Sequence, residues 1–363
     1  MSSLTRRSFL SRGASAGLAL AAWPGLAGPH LSWAQGVDAK KDADDIDSTE
    51  WIDEPTDQAI KKGLEYLVAR QQEDGTFSGG GYSRNVAVCA LAGMAFMASG
   101  STPMRGPYGL NTRRCLDYVL TRCEESGLII DEASSSHGPM YEHGFATLFL
   151  AEAYGMTMQR DIREKLAKAV RLIIETQNDQ GGWRYQPQKN DADISVTVCQ
   201  MMALRAAKNA GIFVPNEVRD RCIEYVKKSQ NSDGGFMYMV HGGASAFPRS
   251  AAGVVALYTA GYSGPEIDKG LAYLMKHLPK GESGVGHYFY GHYYAVQAMW
   301  HAGGERWTKW YPAIRDELTR PGSPHRQRDD GSWMDASINA EYGTAMASII
   351  LQMPNNYLPI FQR

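Results

Sequence analysis

The stretch QNDQGGW, Gln177–Trp183, has a glutamine, three turn-forming residues, a glycine and an aromatic residue two positions after that glycine. The same spacing returns as QQEDGTF (Gln71–Phe77), QNSDGGF (Gln230–Phe236) and QRDDGSW (Gln327–Trp333). Weaker copies are EESGLII around Gly127 and GESGVGHYF around Gly284. The glycines Gly75, Gly127, Gly181, Gly234, Gly284 and Gly331 then fall roughly 50 residues apart, a spacing that marks a repeat architecture. In each copy the glycine permits a positive φ and the aromatic side chain anchors the segment that follows. Phe77, Trp183, Phe236 and Trp333 therefore read as plugs between repeats.

Working outward from these turns, two kinds of helix alternate. Before each turn lies an amphipathic segment, such as TDQAIKKGLEYLVAR (Thr56–Arg70) and RDIREKLAKAVRLIIE (Arg160–Glu175). In the first, Ile60, Leu64 and Leu67 share one face and charges occupy the other. After each turn comes a segment that is apolar nearly all round and rich in Ala and Gly, such as VAVCALAGMAFMAS or SAAGVVALYTAG. A helix with no polar face must be buried on all sides. Six solvent-faced helices alternating with six buried ones predict an all-α protein, an α6/α6 toroid with an inner ring of six helices inside an outer ring of six. Closing the ring gives every inner helix two neighbours, whereas an open array needs polar caps that this chain lacks at its C-terminal LQMPNNYLPIFQR.

The segment before the repeats reads differently. TRRSFLS (Thr5–Ser11) followed by the apolar run GASAGLALAAWPGLAG is a twin-arginine signal, with Ser32-Trp33-Ala34 as a small-x-small cleavage site. The expected organisation is a signal peptide over 1–34, a polar linker over 35–50 and the toroid over 51–363. The expected location is periplasmic or extracellular. Cleavage against retention as an anchor stays open, and the apolar run is too short for a transmembrane helix. A formal net charge of −2 and no Lys/Arg block beyond the N-terminus argue against nucleic acid. The five cysteines have no C-x-x-C or zinc spacing and read as small core residues.

The Q-x-x-x-G-x-W/F repeats with paired helices resemble the terpenoid cyclase/protein prenyltransferase toroid superfamily, in particular squalene–hopene cyclase-like proteins, over about residues 50–363. The resemblance implies a ligand held in the ring and carries the fold further than the reaction. In class II cyclases a D-x-D-D motif follows a G-G-W segment and its middle acid protonates an alkene or epoxide. GGWRYQPQKNDADIS has that order, so the resemblance places the acid on Asp193 with Asp191 as its companion. The last acidic position is Ile194. The zinc site of the prenyltransferases has no counterpart, since GGFMYMVHGGASAFPRSAAG holds no Asp-x-Cys. No metal and no cofactor are expected, and His241 and His287 read as surface histidines.

Aligning the apolar helices on NVAVC and SVTVC brings Arg84, Glu142 with His143, Asp193, Arg249, Tyr290 with His292, and Glu341 with Tyr342 to the same helix ends. These ends face one mouth of the ring, where helix dipoles favour anions. Capping explains Asp193 equally well. Arg84, His143 and Arg249 are not capping residues. HYFYGHYY (His287–Tyr294) supplies more polar-tipped aromatics than a turn needs. The candidate catalytic residues are Asp193, Asp191, His143 and Glu142. The candidate ligand-binding residues are Arg84, Arg249, Tyr290, His292, Glu341 and Tyr342. Three functions stay open: an exported cyclase-like protein binding or cyclising an isoprenoid; a periplasmic polysaccharide lyase or hydrolase using His143, His292, Tyr290, Arg249 and Glu142; and a non-catalytic toroid. The partner is a small hydrophobic or glycan ligand, with a protein partner also open.

Overall fold

The computed structural model describes residues 48–281 and 286–362. The signal, the linker up to residue 47 and the turn at Gly284 lie outside the described residues. After a single helical turn, Ser48–Trp51, twelve helices follow in alternation. The outer helices are α1 (Glu54–Arg70), α3 (Gly109–Thr121), α5 (Arg160–Thr176), α7 (Asn216–Lys228), α9 (Pro265–Met275) and α11 (Gly304–Thr319). The inner helices are α2 (Val86–Ala98), α4 (Pro139–Thr157), α6 (Ile194–Asn209), α8 (Phe247–Thr259), α10 (Tyr288–Ala302) and α12 (Ala340–Leu351).

The amphipathic and the apolar helices sort as their patterns require. In α5 only Ile162, Leu166, Ala169, Val170 and Ile173 are buried, on one stripe. In α2 every residue except Ala87 is buried. Each inner helix packs on the next, and α12 returns to pack on α2, so the ring closes. The inner helices are parallel. Their N-termini form one face, the mouth, and their C-termini form the opposite face.

The repeat motif is the joint between neighbouring repeats. Gly181 has φ +97°, and a Cβ there would lie 2.1 Å from the carbonyl oxygen of Arg221 on the next outer helix. Gly331 closes the ring in the same way, with φ +87° and Lys62 O at 2.7 Å. Only glycine meets both demands. The motif glutamine bridges the two repeats. Gln177 Nε2 donates to Gly181 O and to Val218 O of α7, both at 2.9 Å. Gln327 Nε2 does the same to Gly331 O and Ala59 O of α1, both at 2.8 Å. The aromatic is pinned from both rings. Trp183 N donates to Thr197 Oγ1 of α6 at 3.1 Å, and Trp183 Nε1 donates to Ile173 O of α5 at 2.7 Å.

The C-terminal tail lies across the far end of the ring. Gln352 Nε2 donates to Ala95 O of α2, Trp300 Nε1 of α10 donates to Phe361 O, and Phe361 meets the Tyr293 ring. Among the described residues no helix is long and apolar enough to cross a membrane. All five cysteines are free, and four of them are buried.

Candidate functional site

Asp193 is the N-cap of α6 and is fully buried. Its Oδ1 accepts from Ser195 N and Val196 N, both at 2.9 Å. Its Oδ2 has no hydrogen-bond partner, and Arg184 Nε stands 3.9 Å away. Burial pushes the carboxyl up to about 6, against the two helix N–H groups and Arg184, which pull it down. At neutral pH a fraction of Asp193 keeps its proton, and that proton belongs on Oδ2.

The repeats supply an internal comparison. Asn85 caps α2 and Asn339 caps α12. In both, Oδ1 accepts from the helix, from Val88 N and from Tyr342 N. In both, Nδ2 donates to a carbonyl of the next repeat, Ser135 O at 3.0 Å and Gly79 O at 2.8 Å. Asn and Asp cap helices about equally well. The fold thus accepts an amide at this station, and α6 alone among the three carries an acid whose second oxygen is stranded.

Around Asp193 the mouth is aromatic. Arg184 Nη1 pairs with Asp191 Oδ2, and its guanidinium lies over the rings of Tyr185 and Tyr238 at 5.2 and 5.7 Å. The two tyrosine hydroxyls are hydrogen-bonded to each other. Tyr141 of α4 lies 6.0 Å from Tyr185. Its hydroxyl is pushed well above the ordinary tyrosine range by burial, then by Tyr290 and Asp193. Tyr290 OH donates to Ser195 O at 3.1 Å. Arg184, Tyr141, Tyr185 and Tyr238 were missed by sequence reasoning. The signal was present, because Tyr185 and Tyr238 each stand two residues after the motif aromatic, Trp183 and Phe236.

Below this layer the axis is crossed by side chains. Tyr293 of α10 meets Phe145 of the opposite helix α4 at 6.2 Å. Tyr294 OH lies 3.1 Å from Cys199 Sγ of α6. Asp193, at the start of α6, lies on the mouth side of this barrier.

The other expected residues are placed elsewhere. His143 does not face the mouth. It is fully buried between the rings, with Nδ1 accepting from Ile129 N and Nε2 donating to Ala169 O, both at 3.2 Å. Burial lowers it to about 4, so it is a neutral structural histidine. Glu142 Oε2 accepts from Val86 N at 3.1 Å and so caps the neighbouring inner helix. Glu341 accepts from Arg70 Nε at 3.0 Å. Arg84 pairs with Asp74 at 2.9 Å and Asp131 at 3.4 Å in a joint between repeats. Arg249 donates to Phe236 O at 3.1 Å and to Ala244 O, latching its turn. Asp191 is half-exposed and serves Arg184. Tyr342 is buried on α12 next to its cap. His292 points outward, against Phe247 at 4.9 Å and Tyr288 at 4.4 Å. It lines a peripheral cavity of about 100 Å³ with His277 and Glu317. HYFYGHYY is thus split, with Tyr290, Tyr293 and Tyr294 on the axis and Tyr288 and His292 at the periphery. His241 and His287 are exposed. Among the described residues no group of His, Cys, Asp or Glu is placed to hold a metal ion.

The prenyltransferase alpha-alpha toroid domain profile matches residues 52–171 and 146–288. The chain belongs to this family. Solved structures of similar fold are known. An aspartate-to-alanine variant of the type II terpene cyclase MstE from Scytonema, in complex with merosterolic acid A, has 15% identity and a TM-score of 0.58, covering 83% of this chain and 97% of that one. A GH76 α-mannanase from Bacteroides thetaiotaomicron has 13% identity and a TM-score of 0.60, covering 86% and 98%. A protein from Actinoplanes has 15% identity and a TM-score of 0.59, covering 83% and 99%. At these identities the likeness is one of fold. No curated protein matches the chain.

Proposed function

We propose that this toroid is an exported acid catalyst of the cyclase-like kind, binding an isoprenoid at the tyrosine-lined mouth and protonating its reacting end with Asp193. The observation that carries the reading is the stranded Oδ2 of a buried capping aspartate, at a station where two sister repeats use asparagine. A buried carboxylate oxygen without a hydrogen-bond partner costs stability, and perturbed acids of this kind cluster at functional sites. The proton leaves Oδ2 for a double bond or an ether oxygen of the ligand. The negative charge left behind spreads onto Oδ1, which already holds two helix N–H bonds at a positive dipole end, with Arg184 alongside. Tyr141, Tyr185, Tyr238 and Tyr290 offer ring faces to the developing cation. The twin-arginine segment Thr5–Ser11 supports export to the periplasm or beyond.

A glycan-active reading has one observation in its favour. Asp191 and Asp193 both address Arg184, and paired carboxylates are the tools of glycoside hydrolysis. The two readings separate by substrate. The wild-type chain is incubated with a geranylgeranyl-bearing polyprene and, separately, with α-mannan, and products are read by mass spectrometry. Cyclised polyprene that is lost in Asp193→Asn supports the proposal. Sugar release with no polyprene product replaces it with the second reading, and an unchanged polyprene product in Asp193→Asn removes the role of the acid.

A further inference from the structure

The fifth joint of the ring differs from the others. In the other copies of the motif, the position two residues after the glycine holds a large apolar side chain, Phe77, Ile129, Trp183, Phe236 or Trp333, each at most 2% exposed. Counted from Gly284, that position in the fifth copy is Gly286. Counted from Gly281, which follows α9 at φ +74°, it is Ser283. In either register the fifth copy carries no apolar plug. The motif glycines of the other copies stand so close to the next outer helix that a Cβ would lie 2.1–2.7 Å from a carbonyl oxygen, whereas a Cβ on Gly281 or Gly286 would meet nothing within 4 Å.

The plug has a second tie in its sister copies. Its backbone N–H donates to a side chain of the inner helix that follows: Ile129 N to His143 Nδ1 at 3.2 Å, Trp183 N to Thr197 Oγ1 at 3.1 Å, Phe236 N to Ser250 Oγ at 2.8 Å and Trp333 N to Thr344 Oγ1 at 3.0 Å. On α10 this station is His292. It follows the cap His287 by five positions, as His143 follows Gly138 and Thr344 follows Asn339. His292 is 3% exposed, and its Nδ1 has no hydrogen-bond partner. Burial, and then His325, lowers it to about 3, so the ring is neutral and one of its nitrogens is an acceptor.

The cavity of about 100 Å³ beside His292 lies at this joint. Its walls include His277 at the end of α9, Tyr288 and His292 of α10, Glu317 of α11 and Phe247 of α8. The plug of the fourth copy packs in the same relation to its helices, Phe236 lying against Gly253 of the inner helix that follows and Gly270 of the next outer helix. Phe247 and Tyr288 hold their rings 4.9 and 4.4 Å from that of His292. Glu317 is already engaged, accepting from Tyr288 OH and from Gly281 N, both at 3.0 Å. A buried water needs about two to four polar partners, and these walls offer chiefly ring faces. An apolar cavity of about 150 Å³ takes up benzene, so this one has room for a single ring.

We propose that this cavity binds a small single-ring aromatic molecule bearing an O–H or N–H, of the phenol class. Its ring stands where the sister copies place a plug, and its hydroxyl donates to His292 Nδ1 as the plug N–H does elsewhere. The site is separate from Asp193 at the mouth, and its test does not depend on the chemistry proposed there.

The test titrates the full chain with phenol and with toluene, which has the same size and no donor. The imidazole nitrogens are followed by nitrogen NMR, with His292 assigned by its loss in His292→Leu. Phenol is expected to bind with a dissociation constant of about 1 mM and to move the His292 Nδ1 resonance. Toluene leaves the acceptor unpaired and should bind about tenfold more weakly. In His292→Leu, phenol should fall to the level of toluene. If that variant does not fold, His292 is assigned through its contacts with the Phe247 and Tyr288 rings, and the wild-type preference for phenol decides. Equal affinity for the two molecules, phenol binding that leaves the His292 nitrogens unmoved, or no binding of phenol at about 10 mM overturns the proposal.

Discussion

Replacing Asp193 by asparagine should make the protein more stable, and the size of the gain can be worked from the site. The carboxyl goes from an ordinary 3.8 to about 6 in the folded state. At ~1.36 kcal/mol per pH unit that costs the fold ~3 kcal/mol at pH 7.5. The folded state holds the proton more tightly, so stability is greatest below pH 4, falls as pH rises from about 4 to 6, and is lowest above. Asparagine keeps Oδ1 for Ser195 N and Val196 N and removes the buried charge, and Asn85 and Asn339 show that this cap station holds an amide. Asp193→Asn should therefore gain about 1–3 kcal/mol at pH 7.5, with the gain shrinking towards zero at pH 4. Urea denaturation of both proteins across this range isolates the effect, because His143 and His292 titrate equally in each. A variant that is less stable at pH 7.5, or a difference independent of pH, would refute the reasoning.

Other outcomes follow from the joints of the ring. His143→Ala strands Ile129 N and Ala169 O and should cost about 2–4 kcal/mol by chemical denaturation. His143 is held low in the fold, so its own contribution is present above pH 6.5 and is lost as pH falls towards about 4. Gly181→Ala drives a Cβ to 2.1 Å from Arg221 O at a positive φ, and should lose more than about 3 kcal/mol or fail to yield folded protein, read by thermal melting. Gln327→Ala removes the bond to Ala59 O that ties the last repeat to α1, together with the bond to Gly331 O within its own turn. It should cost about 1–3 kcal/mol and raise amide exchange in Glu54–Arg70 more than in α7.

The ring was legible because its determinants are local. A glycine at positive φ, a glutamine that reaches two carbonyls and an aromatic plug recur at fixed spacing, and each follows from the seven residues of one turn. Asp193 as a helix cap was legible for the same reason. The sorting of the mouth residues was not. Glu142 and His143 are neighbours in sequence, yet about 100° apart around a helix, so a shared helix end does not say which side chain meets the axis. His143 turned towards α5 and His292 towards the periphery. Arg84 and Arg249 were drawn off by carboxylates and carbonyls of neighbouring turns, partners distant in sequence or set by the irregular loop path. Tyr185 and Tyr238 sit in such loops, where periodicity carries no information, and only their constant offset from the motif aromatic marks them.

The claim at the centre of this account is that Asp193 Oδ2 is the proton donor to a ligand held at the mouth. A crystal structure of Asp193→Asn with a geranylgeranyl-bearing polyprene tests it most directly. The account predicts the ligand's reacting double bond within roughly 3–3.5 Å of the residue 193 side chain, the reach of a near-attack geometry, with Tyr141 and Tyr238 against its chain. A polyprene bound away from the mouth, or one whose reacting double bond lies out of reach of residue 193, would contradict it.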